Sequence, residues 1–229
     1  MMKQIYQEFP DLADKDLYLT GESYAGKYIP RFAWEVVNDE TLSKNLKGSM
    51  VGDPYTAPVT QRTHTYIVPE ALNILDDSNM PQIAALQKNC LEVLAKNITL
   101  AADTCSAIIG YVTDISGDVY PYDNRIFAPD WDVKEDPVLN YFAESNPDSS
   151  DIYTKLHVDD STKSPKFCMS CGDVGDAFVD ENLKDYSQYI VDLIGAKSPL
   201  LIYAGEFDAQ DGPKTIEYWL RRLEFDGKE

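Results

Sequence analysis

The stretch Asp16-Leu17-Tyr18-Leu19-Thr20-Gly21-Glu22-Ser23-Tyr24-Ala25-Gly26-Lys27-Tyr28-Ile29-Pro30 decides the fold. Residues 16–20 read as a short buried strand. Residues 24–38 then carry Tyr28, Phe32, Val36 and Val37 at helical spacing, with Pro30 in the first two turns, where its missing N–H costs least. Between them lies a G-x-S-x-A-G turn. Strand, tight turn and helix in that order are the context a nucleophile elbow needs. The small residues on both sides of Ser23 let the backbone reverse without a Cβ clash. The serine oxygen is thereby lifted to the carboxyl edge of a sheet, beside backbone N–H groups at the helix start that can stabilise an oxyanion. An ordinary turn whose serine caps the helix has the same spacing, so the turn alone leaves both readings open.

Outward from the turn, Lys47–Val51 reads as the next strand, ending in Gly52-Asp53-Pro54. Ile83, Leu86, Cys90, Leu91 and Leu94 give 81–96 a helical period, a candidate cap element. From Thr113 to Pro165 the chain is rich in Asp, Pro, Ser and Tyr with little periodicity, which reads as loop with short helices. A helical pattern resumes over 173–194 through Leu183, Tyr186, Ile190, Leu193 and Ile194. Ser198-Pro199 breaks it before Leu200-Leu201-Ile202-Tyr203, an apolar run of parallel-strand type. Ile216, Trp219, Leu220 and Leu223 mark a last amphipathic helix. Short apolar strands alternating with helices indicate an α/β layered sheet. The expected division is 1–68 for the serine-bearing part of the core, 69–165 for a cap or insertion, and 166–229 for the closing part of the core.

Composition narrows the partners. A chain of 229 residues that is 44% apolar buries a sizeable core. A net charge of -19 argues against nucleic acid or an anionic membrane, both of which need basic patches. No apolar run approaches the ~20 residues that span a bilayer. The first ten residues lack the apolar core of a signal peptide.

The four cysteines bear on the compartment. Cys90 and Cys105 flank a helical stretch and Asn97-Ile98-Thr99, an N-glycosylation acceptor pattern that places Asn97 as a candidate glycan site. Cys168-Met169-Ser170-Cys171 has the CxxC spacing of redox or zinc sites, but no second pair and no βα turn accompany it. The expected arrangement is a Cys90–Cys105 disulfide in the cap, with Cys168 or Cys171 forming half of another. Four free buried thiols are the alternative. A disulfide and a glycan would place the protein in the secretory pathway.

The stretch 16–30 closely resembles the nucleophile segment of the serine carboxypeptidases. The resemblance continues at Asn45-Leu46-Lys47-Gly48-Ser49-Met50-Val51-Gly52-Asp53, at Tyr122-Asp123-Asn124-Arg125, and at Leu201-Ile202-Tyr203-Ala204-Gly205-Glu206-Phe207-Asp208, in family order. It implies an α/β-hydrolase-like sheet flanked by helices, with an inserted helical cap, and incomplete. It also implies a lysosomal, vacuolar or secreted enzyme that releases C-terminal residues from peptide or protein substrates through an acyl-enzyme. No cofactor or metal is implied. Ser23 would be the nucleophile, the backbone N–H of Tyr24 one oxyanion donor, and Glu22 the group that hydrogen-bonds the substrate carboxylate. To bind a carboxylate, Glu22 must be protonated, which needs a raised pKa or acidic pH. Asp208, just beyond the Leu200–Tyr203 strand, would be the triad acid that orients a histidine. A solvated acidic loop with Glu206 and Asp211 is the bland reading of that segment.

The family's histidine follows the acid by several tens of residues, and none occurs in residues 209–229. The two histidines are His64, expected in a surface or packing role, and His157, in the variable region. Nothing matches the family's W-N-G-G-P-G turn. Two expectations follow. Either this is a carboxypeptidase sequence cut at both ends, or it is a complete, non-catalytic module that binds peptides or proteins.

Overall fold

The computed structural model describes residues 1–127 and 172–226. Strands β1 (Leu17–Glu22), β2 (Leu46–Gly52) and β3 (Leu200–Tyr203) form a parallel sheet in the order β1-β2-β3. Gly21 pairs with Val51 and Val51 with Ile202, while Glu22 pairs with Gly52 and Gly52 with Tyr203. All three strands therefore end in step at one carboxyl edge. β1 runs two residues past the sequence reading because Gly21 and Glu22 keep their partners on β2.

Helix α1 (Met2–Glu8) precedes the sheet, and α2 (Ala25–Val37) follows β1 directly. α2 packs Ala33 and Val36 against Leu19 of β1, with Leu42 and Leu193 completing the cluster. Each fully buried aliphatic side chain there contributes roughly 1.5–3 kcal/mol. Between β2 and the helical hairpin lie two short helices, α3 (Pro58–Thr63) and α4 (Ile67–Ala71). Near the carboxyl end of the chain, α8 (Ser187–Gly195) and α9 (Pro213–Leu220) bury Ile190, Ile216 and Trp219 together, against Leu200 and Ile202 of β3. The opposite face of the sheet carries Tyr18, Leu201 and Tyr203, each about half exposed.

Helices α5 (Met80–Leu94) and α6 (Ile98–Ser116) form a hairpin joined by the Cys90–Cys105 disulfide, as expected. The hairpin buries Ile83, Cys90, Ala101, Cys105, Ile108 and Val112. α6 corrects the sequence reading, which placed no helix there. Its signals were present: Asn97 caps the start by accepting from the N–H groups of Thr99 and Leu100, and Gly117 ends it in the left-handed region at φ 75°. By length and composition alone α6 could cross a bilayer, which also corrects the expectation that no run approaches that length. Two aspartates, Asp103 and Asp114, lie within it, and its buried side packs on α5.

The chain divides into two compact units, one of Met1–Phe127 with Asp180–Glu229, the other of Ala128–Val179. Of the second, the described residues hold a short helix, α7 (Gly172–Ala177). The continuous helix expected over 173–194 is not formed. The carbonyls of Glu181, Asn182 and Lys184 accept from the Lys27 ammonium, and the Tyr186 N–H donates to the Thr56 carbonyl, so these groups are withdrawn from an i→i+4 ladder. His157, Cys168 and Cys171 lie outside the described residues.

Candidate active site

Ser23 occupies the turn between β1 and α2 with φ 57°, in the left-handed region that a non-glycine residue adopts only at a cost of roughly 1–3 kcal/mol. The surrounding backbone fixes it there. Its N–H donates to the Gly52 carbonyl (2.9 Å), and its carbonyl accepts from the N–H groups of Gly26 (2.8 Å) and Tyr55 (2.9 Å). The sequence reading assigned the sharp bend to flanking small residues; the structure puts the unusual torsion on the serine itself. Gly26 serves a different purpose, because a Cβ there would lie 2.6 Å from the Tyr55 nitrogen and 2.8 Å from the Pro54 carbonyl carbon. Tyr24 is the N-cap residue of α2, so its amide stands at the positive end of the helix.

Four carboxyl groups converge on the same edge. Glu22 ends β1, and its pKa is raised by burial and then by the charges of Asp53 and Asp211. Asp53 follows β2, where its Oδ1 accepts from the Gly205 N–H (2.8 Å), and burial raises its pKa. Asp208 follows β3, is 7% exposed, and its Oδ1 accepts from the N–H groups of Gln210 (2.7 Å) and Asp211 (3.1 Å). Burial pushes the Asp208 carboxyl up to about 7, helped by the charges of Asp211 and Asp53 and opposed by the two backbone N–H groups. The bland reading of this loop as solvated does not hold for Asp208 or Asp211, both of which are buried.

The acid loop is built in from two sides. Asp211 accepts from the Gln61 side chain (2.7 Å) and pairs with Arg62 (3.5 Å), which lowers a pKa otherwise raised by burial. Gln61 also donates to the Pro54 carbonyl and accepts from the N–H groups of Thr56 and Ala57, tying the acid loop to the segment after β2. On the other side, the Asn124 N–H donates to the Phe207 carbonyl (3.0 Å) and the Ala209 N–H to the Pro121 carbonyl (2.9 Å). The Tyr122–Arg125 landmark thus belongs to the acid loop. Gly212 closes the loop, since a Cβ there would fall 1.8 Å from the Asp208 carbonyl oxygen.

The structure brings Glu22, Ser23, Tyr24 and Asp208 to one edge. His64 is engaged elsewhere, as expected of a packing residue. Its Nδ1–H donates to the Thr60 carbonyl (2.7 Å), its ring lies 3.9 Å from that of Tyr218, and burial lowers its pKa. Among the described residues no His, Cys, Asp and Glu side chains are grouped to hold a metal ion. Asn97 is exposed and its Oδ1 is used in the cap. Sequence reasoning missed Asp53, Gln61, Arg62 and Lys27. Lys27 alone left a trace, a charged residue on the apolar stripe of α2.

A family model described as serine carboxypeptidase matches residues 1–229. The probable serine carboxypeptidase CPVL of Dictyostelium discoideum is 26% identical over 239 residues, covering 99% of this chain and 44% of that relative. The carboxypeptidase Y homolog A of Arthroderma otae is 29% identical over 242 residues, with 99% and 43% covered. Among solved structures, Kex1(delta)p, a prohormone-processing carboxypeptidase from Saccharomyces cerevisiae, matches with a TM-score of 0.80 over 100% of this chain and 52% of its own. At 19% identity that likeness is one of fold, and it fits a small parallel sheet flanked by helices in an α/β-hydrolase-like arrangement. The chain spans less than half the length of the curated relatives it matches. The chain belongs to the serine carboxypeptidase family.

Proposed function

We propose that this chain carries the nucleophile and the acid of a serine carboxypeptidase, with Ser23 and Asp208 in those roles. The observation that carries the reading is the left-handed Ser23 at the carboxyl edge, held by Gly52, Gly26 and Tyr55. A residue held in a costly torsion by several partners points to a use for that torsion. In the reaction, Ser23 Oγ attacks the carbonyl carbon of the last peptide bond while a base takes its proton. The Tyr24 N–H faces the developing oxyanion. The C–N bond then breaks, the departing amino acid takes the proton, and water hydrolyses the acyl ester. Glu22, its pKa raised by burial and neighbouring carboxylates, donates to the terminal carboxylate of the peptide.

The base is a histidine in this reading, and Asp208 is prepared for one. A triad acid acts as a carboxylate, and an imidazolium beside Asp208 would draw its pKa down from about 7. A disulfide in the described residues and an exposed Asn97 sequon support the secretory pathway or secretion, and the raised pKa of Glu22 fits use at acidic pH.

A second reading is a module that binds peptide C-termini without cleaving them. It is favoured by His64, whose ring is committed to Thr60 and Tyr218 rather than to Ser23 or Asp208. One assay separates the two: incubation at pH 5 with a blocked dipeptide bearing a free carboxylate, following both binding and amino-acid release. Release that is lost in Ser23→Ala supports catalysis. Binding that needs the free carboxylate, without release, supports the module. Neither binding nor release overturns both.

A further inference from the structure

Lys27 lies one turn beyond Ser23 on α2 and is 2% exposed. Its ammonium donates to the carbonyls of Glu181, Asn182 (2.8 Å) and Lys184 (3.1 Å). Three N–H donors meet three acceptors, so the buried cation is satisfied. It also stands 5.1 Å from the ring centroids of Tyr24 and Tyr55 and 5.4 Å from that of Tyr186, within cation–π range of all three.

The three rings come from three segments, and each segment is tied to the elbow. Tyr24 follows Ser23 in the chain. Tyr55 follows β2, and its N–H donates to the Ser23 carbonyl. Tyr186 precedes α8; its N–H donates to the Thr56 carbonyl, and the Thr56 hydroxyl donates to the Gly26 carbonyl (2.9 Å). The Tyr55 hydroxyl donates to the Asn182 side chain (3.0 Å). Elbow, post-β2 segment and residues 181–186 therefore meet at one ammonium.

We propose that Lys27 is a positioning residue, whose ammonium, bound to three carbonyls of 181–184 and enclosed by Tyr24, Tyr55 and Tyr186, holds the Ser23 turn in its left-handed form. Its catalytic consequence rests on the reading of Ser23 as nucleophile. An apolar residue of similar length would fill the space but would leave three carbonyls without donors. Glu181 and Asp185 favour the charge, whereas Arg62 and Lys184 oppose it. Burial brings the ammonium down to about 8, so it is the cation that occupies the cage at neutral and acidic pH. The phenols around it are raised above their ordinary range, so the rings stay neutral there.

The test is NMR at pH 6 on the unaltered chain, Lys27→Met and Lys27→Arg. The unaltered chain should show one slowly exchanging lysine ammonium, lost in both variants. Amide exchange at Tyr55 and Tyr186 should quicken at least tenfold in Lys27→Met and stay within about threefold in Lys27→Arg, which keeps the charge. The β1–β2 ladder should be unchanged in both. No slow ammonium, or equal protection in Lys27→Met and the unaltered chain, overturns the proposal. The ammonium signal needs no variant and decides the matter if Lys27→Met fails to fold. None of these readouts depends on Ser23 reacting, so a failure of the nucleophile reading would be seen separately.

Discussion

Ser23 and Asp208 are both held in states that folding alone would not choose. Ser23 sits at φ 57°, where glycine would be at ease. Ser23→Gly should therefore raise unfolding stability by about 1 kcal/mol in denaturant titration; a less stable variant would remove strain from the account. Asp208 is a buried carboxyl whose pKa rises from 3.8 to about 7. Between those values the folded chain binds more protons than the unfolded one, so the group's favourable contribution is complete below 3.8 and is lost as pH rises through about 7. The difference is on the order of 4 kcal/mol, since each unit is about 1.4 kcal/mol. Glu22, Asp53 and Asp211 act in the same direction. Asp208→Asn keeps an oxygen for the Gln210 and Asp211 N–H groups and cannot ionise. Thermal unfolding from pH 5 to pH 8 should show the unaltered chain losing Tm and Asp208→Asn losing much less. Parallel curves would place the pH dependence elsewhere.

At the scale of elements, the α5–α6 hairpin carries a covalent tie. α5 and α6 are linked by a disulfide that closes a separation of 15 residues, which by loop entropy is worth roughly 3 kcal/mol. Cys90→Ser with Cys105→Ser should lose about that much in chemical denaturation, and no loss would show that packing alone holds the hairpin. The same elements show how far sequence carries. β1, β2, β3, α2, α5 and α9 were legible because their apolar residues recur at strand or helix spacing. α6 was passed over although Asn97 and Gly117 bracket it, because Ala101, Ala102 and Cys105 give a weak apolar stripe. The helix expected across 173–194 failed for a reason no local pattern contains, since its carbonyls are taken by Lys27, more than 150 residues away in sequence. At the site, Ser23 and Asp208 could be named because each follows a strand inside a stretch that resembles a known nucleophile or acid segment, whereas Asp53 follows a strand without such a signal. Asp53, Gln61 and Arg62 act through contacts that only the folded chain creates.

For the whole molecule, three strand ends in register gather the Ser23 turn, a buried aspartate and a carboxyl with a raised pKa at one edge, the edge on which the proposed function rests. Among the described residues, Tyr18, Leu201 and Tyr203 stand about half exposed on the far face of the sheet. The most direct measurement is fluorophosphonate labelling of the folded chain at pH 5 and pH 7, with imidazole present as a diffusible base, read by intact mass and peptide mapping. The account predicts one adduct, on Ser23, absent from Ser23→Ala. An adduct on another residue, one that survives in Ser23→Ala, or none at all on a folded chain would contradict it.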